Sequence, residues 1–201
     1  MATDSREYIL ETAFVLFMQR SFKAVTMNDI VKSSGMSKGA FYHYFKSKEE
    51  VFQEVVNTYF MKLTDIDYAK CSHESLKSFY SDLVSNLQNQ TGFLQQLRKA
   101  KESGEAFNYF QLLFDAMYLS PVLKTRILEM QTKEMKAWTE IIGIAKKKGE
   151  IKTDLADKDI AKLFIYVNDG AGMNNILRNR VGGAIRDMMA LYGSLYELLK
   201  V

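Results

Sequence analysis

The sequence predicts an all-α protein of about nine helices, with an N-terminal three-helix head over residues 1–48 and a larger helical body over residues 49–201. Three observations lead there. Apolar residues recur at three- and four-residue steps from Val51 almost to the C-terminus, and no alternating run long enough for a strand interrupts them. Three helix starts crowd into one short stretch: Thr26 with Asp29 three residues on, Ser37 before Lys38-Gly39-Ala40, and Ser47 with Glu50 three residues on. The lone proline, Pro121, follows a serine, the order that opens a helix rather than breaks one.

The head begins with an amphipathic helix, Ile9-Leu10-Glu11-Thr12-Ala13-Phe14-Val15-Leu16-Phe17, with Phe22 beyond its end. Thr26 starts a second helix that stops at the turn Gly35-Met36, and Ser37 starts a third. Two helices this short bury little apolar surface alone. Joined by a glycine turn over residues 26–45, they form a helix-turn-helix, whose second helix enters the major groove of duplex DNA. Ser37, Lys38 and Gly39 open that helix, where free amides and a cation favour phosphate and a missing side chain permits close approach. Phe41 and Phe45 read as its core face, and Tyr42 and His43 as its exposed side.

In the body, Val51, Phe52, Val55, Val56, Tyr59, Phe60 and Leu63 make one helical stripe, and Leu76, Phe79, Tyr80, Leu83 and Leu87 a second. Phe107, Phe110, Phe114 and Met117 continue to Ser120-Pro121. A long helix follows, buried along Leu123, Ile127, Met130, Trp138, Ile141 and Ala145, until Lys146-Lys147-Lys148-Gly149 places cations at its negative end and glycine stops it. From Asp157, the residues Ile160, Leu163, Phe164, Val167, Ala171 and Leu177 form one face and Ile165, Gly172 and Ile176 another. From Ile185, the residues Met188, Met189, Tyr192, Leu195, Tyr196 and Leu199 repeat the pattern. A helix apolar on more than one face must be covered on more than one side, so a subunit interface is expected here.

Charge agrees with a DNA-binding head. Residues 1–48 hold five lysines and two arginines against two aspartates and two glutamates, 7 − 4 = +3, and the remaining residues hold 20 basic and 20 acidic side chains, so the whole net charge lies in the head. No run of about 18 apolar residues and no N-terminal export signal is present, which points to a cytoplasmic protein with no membrane partner. One cysteine, Cys71, and two histidines, His43 and His73, leave no disulfide and no metal-ligand spacing, so no metal or cofactor is expected. Nor is there a nucleophile-base pair or a phosphate loop, which argues against an enzyme.

The stretch from Ile9 to Val55 resembles the DNA-binding domain of the tetracycline-repressor (TetR) family of bacterial transcription regulators. The segment Ser37-Lys38-Gly39-Ala40-Phe41-Tyr42-His43-Tyr44-Phe45-Lys46-Ser47-Lys48-Glu49-Glu50 carries the resemblance most strongly. Two positions depart from the family pattern: Ser21 replaces a common glycine and Tyr44 a frequent histidine. The resemblance implies phosphate contacts by Tyr42 and Lys48, phosphate or base contacts by Lys38 and His43, and a capping Thr26 facing the DNA backbone. It also implies a homodimer whose last two helices pack against their copies. The residues expected at that interface are Phe164, Gly172, Ile176, Met188, Tyr192, Leu195 and Tyr196.

For a small-molecule effector, the sequence offers an aromatic and methionine-rich interior. Phe110, Phe114, Met130, Trp138 and Phe164 suit an apolar or aromatic ligand, and Glu134 interrupts the stripe between Met130 and Trp138 where a carboxylate can meet a polar or cationic group. Asn168, Asp169, Asn174 and Asn175 interrupt the penultimate helix in the same way. The reading is a ligand-responsive repressor that binds a pseudo-palindromic operator as a dimer and is released by a hydrophobic or amphipathic effector. The alternative is an effector-independent DNA-binding adaptor or architectural protein of the same fold, which a solid core would favour.

Overall fold

In the computed structural model the described residues are 5–61, 66–100, 109–178, 180 and 183–201; the side chains of 90–100, 109 and 176 are outside the description. Leu63 and Phe107, expected on apolar stripes, also lie outside the described residues. Nine α-helices make up the described chain: α1 Ser5–Gln19, α2 Met27–Ser34, α3 Lys38–Tyr44, α4 Lys48–Val55, α5 Leu76–Ala100, α6 Tyr109–Leu119, α7 Pro121–Lys147, α8 Asp157–Leu177 and α9 Gly183–Leu199. A π-turn, Val56–Phe60, prolongs α4. Among the described residues the only extended pairing is one antiparallel bridge between Ile151 and Lys200, so the fold is all-α. The chain divides into two compact units that interleave along the sequence: residues 1–64 with 93–125, and residues 65–92 with 126–201.

In the first unit, α1 is buried on nearly all sides rather than on one stripe: Ile9, Leu10 and every residue from Thr12 to Met18 are enclosed. A helix apolar all round needs several covers. Here α2, α4 and α6 supply them. Phe17 stacks on Phe22 and both meet Phe52 edge-on, with ring centroids 4.9–5.9 Å apart, and they lock the loop after α1 onto α4.

The second unit is built around an aromatic knot. Trp138 of α7 stacks on Phe164 of α8 at 4.7 Å, and Tyr192 of α9 lies 5.3 Å from both, edge-on to Trp138 and tilted against Phe164. Phe79 of α5 closes the far side of the indole at 5.1 Å. All four rings are buried, so truncating Trp138 to alanine costs about 3–5 kcal/mol. The helix ends follow the sequence signals. Ser120 Oγ accepts from the Leu123 amide at the start of α7, and Gly149, with φ 72°, ends it by donating to the Lys146 carbonyl. Lys146 pairs with Asp157 at 2.8 Å and Lys148 donates to the Glu74 carbonyl, so two of the three lysines are held by the protein itself. Glu150 accepts from the first amides of α5, those of Leu76 and Lys77, at the positive helix end.

Knot formation corrects one expectation. Phe164, Met188 and Tyr192, expected at the subunit interface, are inside this chain's own core at 0, 1 and 0% exposure. The helices do carry two apolar faces, but the bulkiest rings take the inner one because a single chain can then bury them without a partner. Leu195 and Tyr196 are half-buried against that core, Gly172 is half-buried, and the Ile176 side chain lies outside those described.

Candidate nucleic-acid interface and the Glu134 region

Helices α2 and α3 are each positioned by their own cap. Thr26 Oγ1 accepts from the Asp29 amide at 3.1 Å, while the Thr26 amide and hydroxyl both donate to Asp29 Oδ2 at 2.8 and 2.7 Å. Those bonds, first the one from the Thr26 hydroxyl, hold the Asp29 carboxyl below the ordinary aspartate range. Gly35, at φ 65°, makes the left-handed turn that ends α2. Ser37 Oγ then accepts from the Ala40 amide and opens α3.

The consequence is a helix with one face anchored and the other bare. Phe41 and Phe45 are buried, as read from the sequence, whereas Ser37, Lys38, Gly39, Tyr42 and His43 are exposed together. Tyr44 is half-buried, edge-on to His43 at 5.4 Å. Gly39 has a φ any residue adopts, and a methyl group built on it would touch nothing within 4 Å. Nothing in the chain requires glycine there. What it preserves is an open approach to the first amides of α3, the end at which a helix favours an anion.

Lys48, for which the resemblance implies a phosphate contact, is tied to the protein's own backbone. Its ammonium donates to the carbonyls of Phe22 and Val25, both at 2.8 Å, and lies 4.1 Å over the Phe22 ring. Two of its three N–H groups are therefore committed to the loop between α1 and α2. Asp115 of α6 holds the same loop by accepting from the Phe22 amide at 2.7 Å. Sequence reading missed this tie, since the partners of Lys48 are backbone carbonyls 23 and 26 residues away and carry no side-chain signature.

The expected effector residues divide between the units. Phe110 and Phe114 lie on α6 in the first unit, rings 6.4 Å apart, with Phe114 57% exposed. Met130, Glu134, Trp138 and Phe164 lie in the second. Trp138 and Phe164 are core, not open wall. Glu134, one turn before Trp138, is half-buried and accepts from the Tyr68 hydroxyl. Burial, then the nearby Asp169 carboxylate, push its own carboxyl up to about 7. The same carboxylate and Asp169 act on Tyr192, whose hydroxyl, raised above its ordinary range chiefly by burial, has no hydrogen-bond partner among the described residues. Trp138 Nε1 is likewise enclosed without one. Asn175, another of the polar interruptions in α8, is structural: its amide donates to the Ala171 carbonyl and to Asp187 of α9, both at 2.9 Å.

Among the described residues no helix is long and apolar enough to cross a membrane, and no three His, Cys, Asp or Glu side chains gather to hold a metal. Three capped short helices with a bare polar helix start define a helix-turn-helix DNA-binding protein. Comparison with known proteins makes the class specific. Residues 9–55 match the family described as bacterial regulatory proteins, tetR family. Over 164 residues the chain is 29% identical to the HTH-type transcriptional repressor KstR2 of Mycolicibacterium smegmatis, covering 80% of this chain and 73% of that protein. The structure of the ketosteroid transcriptional regulator KstR2 of Mycobacterium tuberculosis superimposes with a TM-score of 0.70 at 18% identity, over 100% of this chain and 97% of that one. A SmeT–triclosan complex does so with a TM-score of 0.65 at 16% identity, over 98% and 92%; at such identities the two structures show the fold alone. Residues 9–55 are thus similar to the DNA-binding domain of the tetR family, and the chain is a DNA-binding transcriptional regulator similar over most of its length to repressors of that kind.

Proposed function

We propose that this regulator is a repressor that binds a pseudo-palindromic operator as a homodimer and releases it when a small hydrophobic or amphipathic effector binds. The observation that carries the DNA part is the bare start of α3, with Ser37, Lys38, Gly39, Tyr42 and His43 exposed around a glycine that the protein itself does not need. Lys38 and the first amides of α3 engage phosphate or base edges, His43 a base edge or phosphate, and Tyr42 phosphate, while Thr26 faces the backbone from the start of α2. Lys48 has one N–H left for a phosphate and works mainly by holding the loop.

For the dimer, the exposed apolar residues give the face. Tyr166 and Leu177, three turns apart on α8, and Leu191 and Leu198, two turns apart on α9, are 61, 76, 42 and 82% exposed, and Leu195 borders them. Such rows are what a self-complementary two-fold contact buries. Effector response is supported by the half-buried Glu134 acting on the enclosed, unpartnered Tyr192 hydroxyl, and by similar proteins whose names record ketosteroid regulation and triclosan binding. The closed stacking of Trp138 on Phe164 supports the second reading, an effector-independent DNA-binding protein.

Selection from a random duplex pool, followed by anisotropy titrations at several salt concentrations, tests the proposal. The expected outcome is an inverted repeat bound two protomers at a time, with affinity falling steeply as salt rises. Enrichment of no inverted repeat, or binding unchanged by Lys38→Ala with Tyr42→Ala, refutes the assignment of α3.

A further inference from the structure

The Glu134 region holds more information than an apolar pocket needs. Three helices and a short turn bring polar groups to one place: Glu134 from α7, Asp169 from α8, Tyr192 from α9, and Tyr68 from the 3₁₀ turn Tyr68–Lys70. The rings fix the position of Tyr192, since its ring is 5.3 Å from both Trp138 and Phe164, one residue on each neighbouring helix. Its hydroxyl is fully enclosed and lacks a partner, and both carboxylates act on it. Glu134 is half-buried and Asp169 is exposed, so the group opens outward on the Asp169 side.

The charge balance is one-sided. Of the groups acting on Glu134, the Asp169 carboxylate raises its carboxyl and the Tyr68 hydroxyl lowers it, and neither brings a positive charge. Two carboxylates sharing a partly desolvated place repel each other. A folded protein keeps such an arrangement at a cost, and the cost is removed by a cation. Two carboxylates alone do not make the six-to-eight-oxygen shell of Ca²⁺, nor do they form a group of three metal-binding side chains. An ammonium fits better. Its three donors match the two carboxylates and the Tyr192 oxygen, with that hydroxyl turned to donate to a carboxylate in turn. Met130, half-buried one turn before Glu134, and the Tyr68 ring offer apolar surface to the rest of such a molecule.

We infer that Glu134, Asp169 and the Tyr192 hydroxyl form a binding site for the ammonium end of an amphipathic amine. This rests on the reading of the protein as effector-responsive and names the chemical class of its effector.

Three probes that share one skeleton test it on the full chain: 4-phenylbutylammonium, 4-phenylbutan-1-ol and 4-phenylbutanoate, a cation, a neutral molecule and an anion. Binding is followed by Trp138 fluorescence, Trp138 being the single tryptophan, and by calorimetry. At pH 8 the ammonium is expected to bind at least about tenfold more tightly than the alcohol, with the carboxylate weaker still. Glu134→Gln lowers the affinity for the ammonium about tenfold or more and leaves that for the alcohol within about threefold, and Asp169→Asn acts in the same direction. Because Glu134 ionises near neutrality, affinity for the ammonium rises up to about tenfold from pH 6 to pH 8, and this rise disappears in Glu134→Gln. Matching far-ultraviolet circular dichroism shows that both variants are folded. Equal or tighter binding of the alcohol or the carboxylate, no binding of the ammonium, or unchanged ammonium affinity in both variants overturns the inference. Release of DNA by the alcohol or the carboxylate but not by the ammonium overturns the amine class while leaving effector response standing; failure to bind any operator is a separate result of the DNA titrations.

Discussion

Replacing Lys48 by methionine separates a lysine that touches DNA from one that holds the DNA-binding head together. The substitution keeps most of the aliphatic stem, so the packing on Phe22 is largely retained and the ammonium alone is removed. In the structure that ammonium makes two bonds of 2.8 Å to carbonyls and sits 4.1 Å over a ring. A hydrogen bond from a charged donor contributes about 1.5–3 kcal/mol, and a cation over an aromatic face about 0.5–1 kcal/mol where water still reaches it. Lys48 is half-buried, and its two carbonyl partners gain water when it leaves, so the lower end of each range applies. The expected loss is about 3.5 kcal/mol of stability, read as a lower urea midpoint at unchanged slope. DNA binding measured below the unfolding range is expected to weaken with a salt dependence close to that of the parent. A pure phosphate contact predicts the opposite pair of results: unchanged stability and a log–log salt slope smaller by about 0.9. Stability within about 0.5 kcal/mol of the parent, the ordinary range for a surface substitution, refutes the structural role.

Gly39→Ala is expected to leave the fold intact, or stabilise it by up to about 1 kcal/mol as alanine replaces glycine in a helix, while weakening DNA binding by about tenfold or more; undiminished operator affinity in anisotropy titrations disproves close approach at this position. Leu191→Glu with Leu198→Glu is expected to weaken the dimer about a hundredfold by sedimentation, whereas Met189→Glu, nearly half a helical turn away, does not; equal behaviour of the two rejects the proposed face. Glu134 binds its proton more tightly folded than unfolded, since its folded carboxyl is pushed from 4.5 up to about 7. Its contribution to stability is therefore largest in acid and is lost as pH rises from about 4.5 through about 7, so the stability gained by Glu134→Gln over the parent grows across that window in urea titrations; no change between pH 5 and pH 8 contradicts the burial of this carboxylate.

The helices and their caps were legible in the sequence because their causes are local. Thr26 with Asp29, Ser37, Gly35, Ser47 with Glu50 and Ser120-Pro121 each act within four residues, and each ends or begins a helix where its spacing indicated. The inner face of α3 was legible for the same reason: Phe41 and Phe45 are one turn apart. What the sequence left open was which face of a two-faced helix turns inward. Along α9, Met188 and Tyr192 make one row and Leu191, Leu195 and Leu198 another, equally apolar and equally periodic. Only the rings brought by α5, α7 and α8 decide that Tyr192 is core and Leu198 is surface. The surroundings of Glu134 were half legible. Its break in an apolar stripe marked it, but Tyr68, Asp169 and Tyr192 come from three other segments, and no spacing links them.

Long-range ties also decide where the head ends, and a fragment of residues 1–61 tests this. The three-helix pattern suggests that such a piece should fold, since it holds α1 to α4 and the π-turn. The structure argues otherwise. Helix α1 is enclosed from Ile9 to Met18 apart from Glu11, and one of its covers is α6, on which Leu112 and Ala116 are fully buried. Removing α6 bares that apolar surface and takes away the Asp115 carboxylate that holds the Phe22 amide. The charged hydrogen bond is worth about 1.5–3 kcal/mol, and each buried aliphatic side chain exposed costs about 1.5–3 kcal/mol more. A domain of about 60 residues has only a few kcal/mol of stability to lose. The fragment is therefore expected to melt without a cooperative transition and to bind operator DNA weakly, whereas in the full chain Asp115→Ala lowers stability by about 1–3 kcal/mol and leaves the fold intact. A fragment that unfolds cooperatively near the temperature of the full chain, and binds DNA at comparable salt, would mean that α4 and the π-turn alone suffice to cover α1.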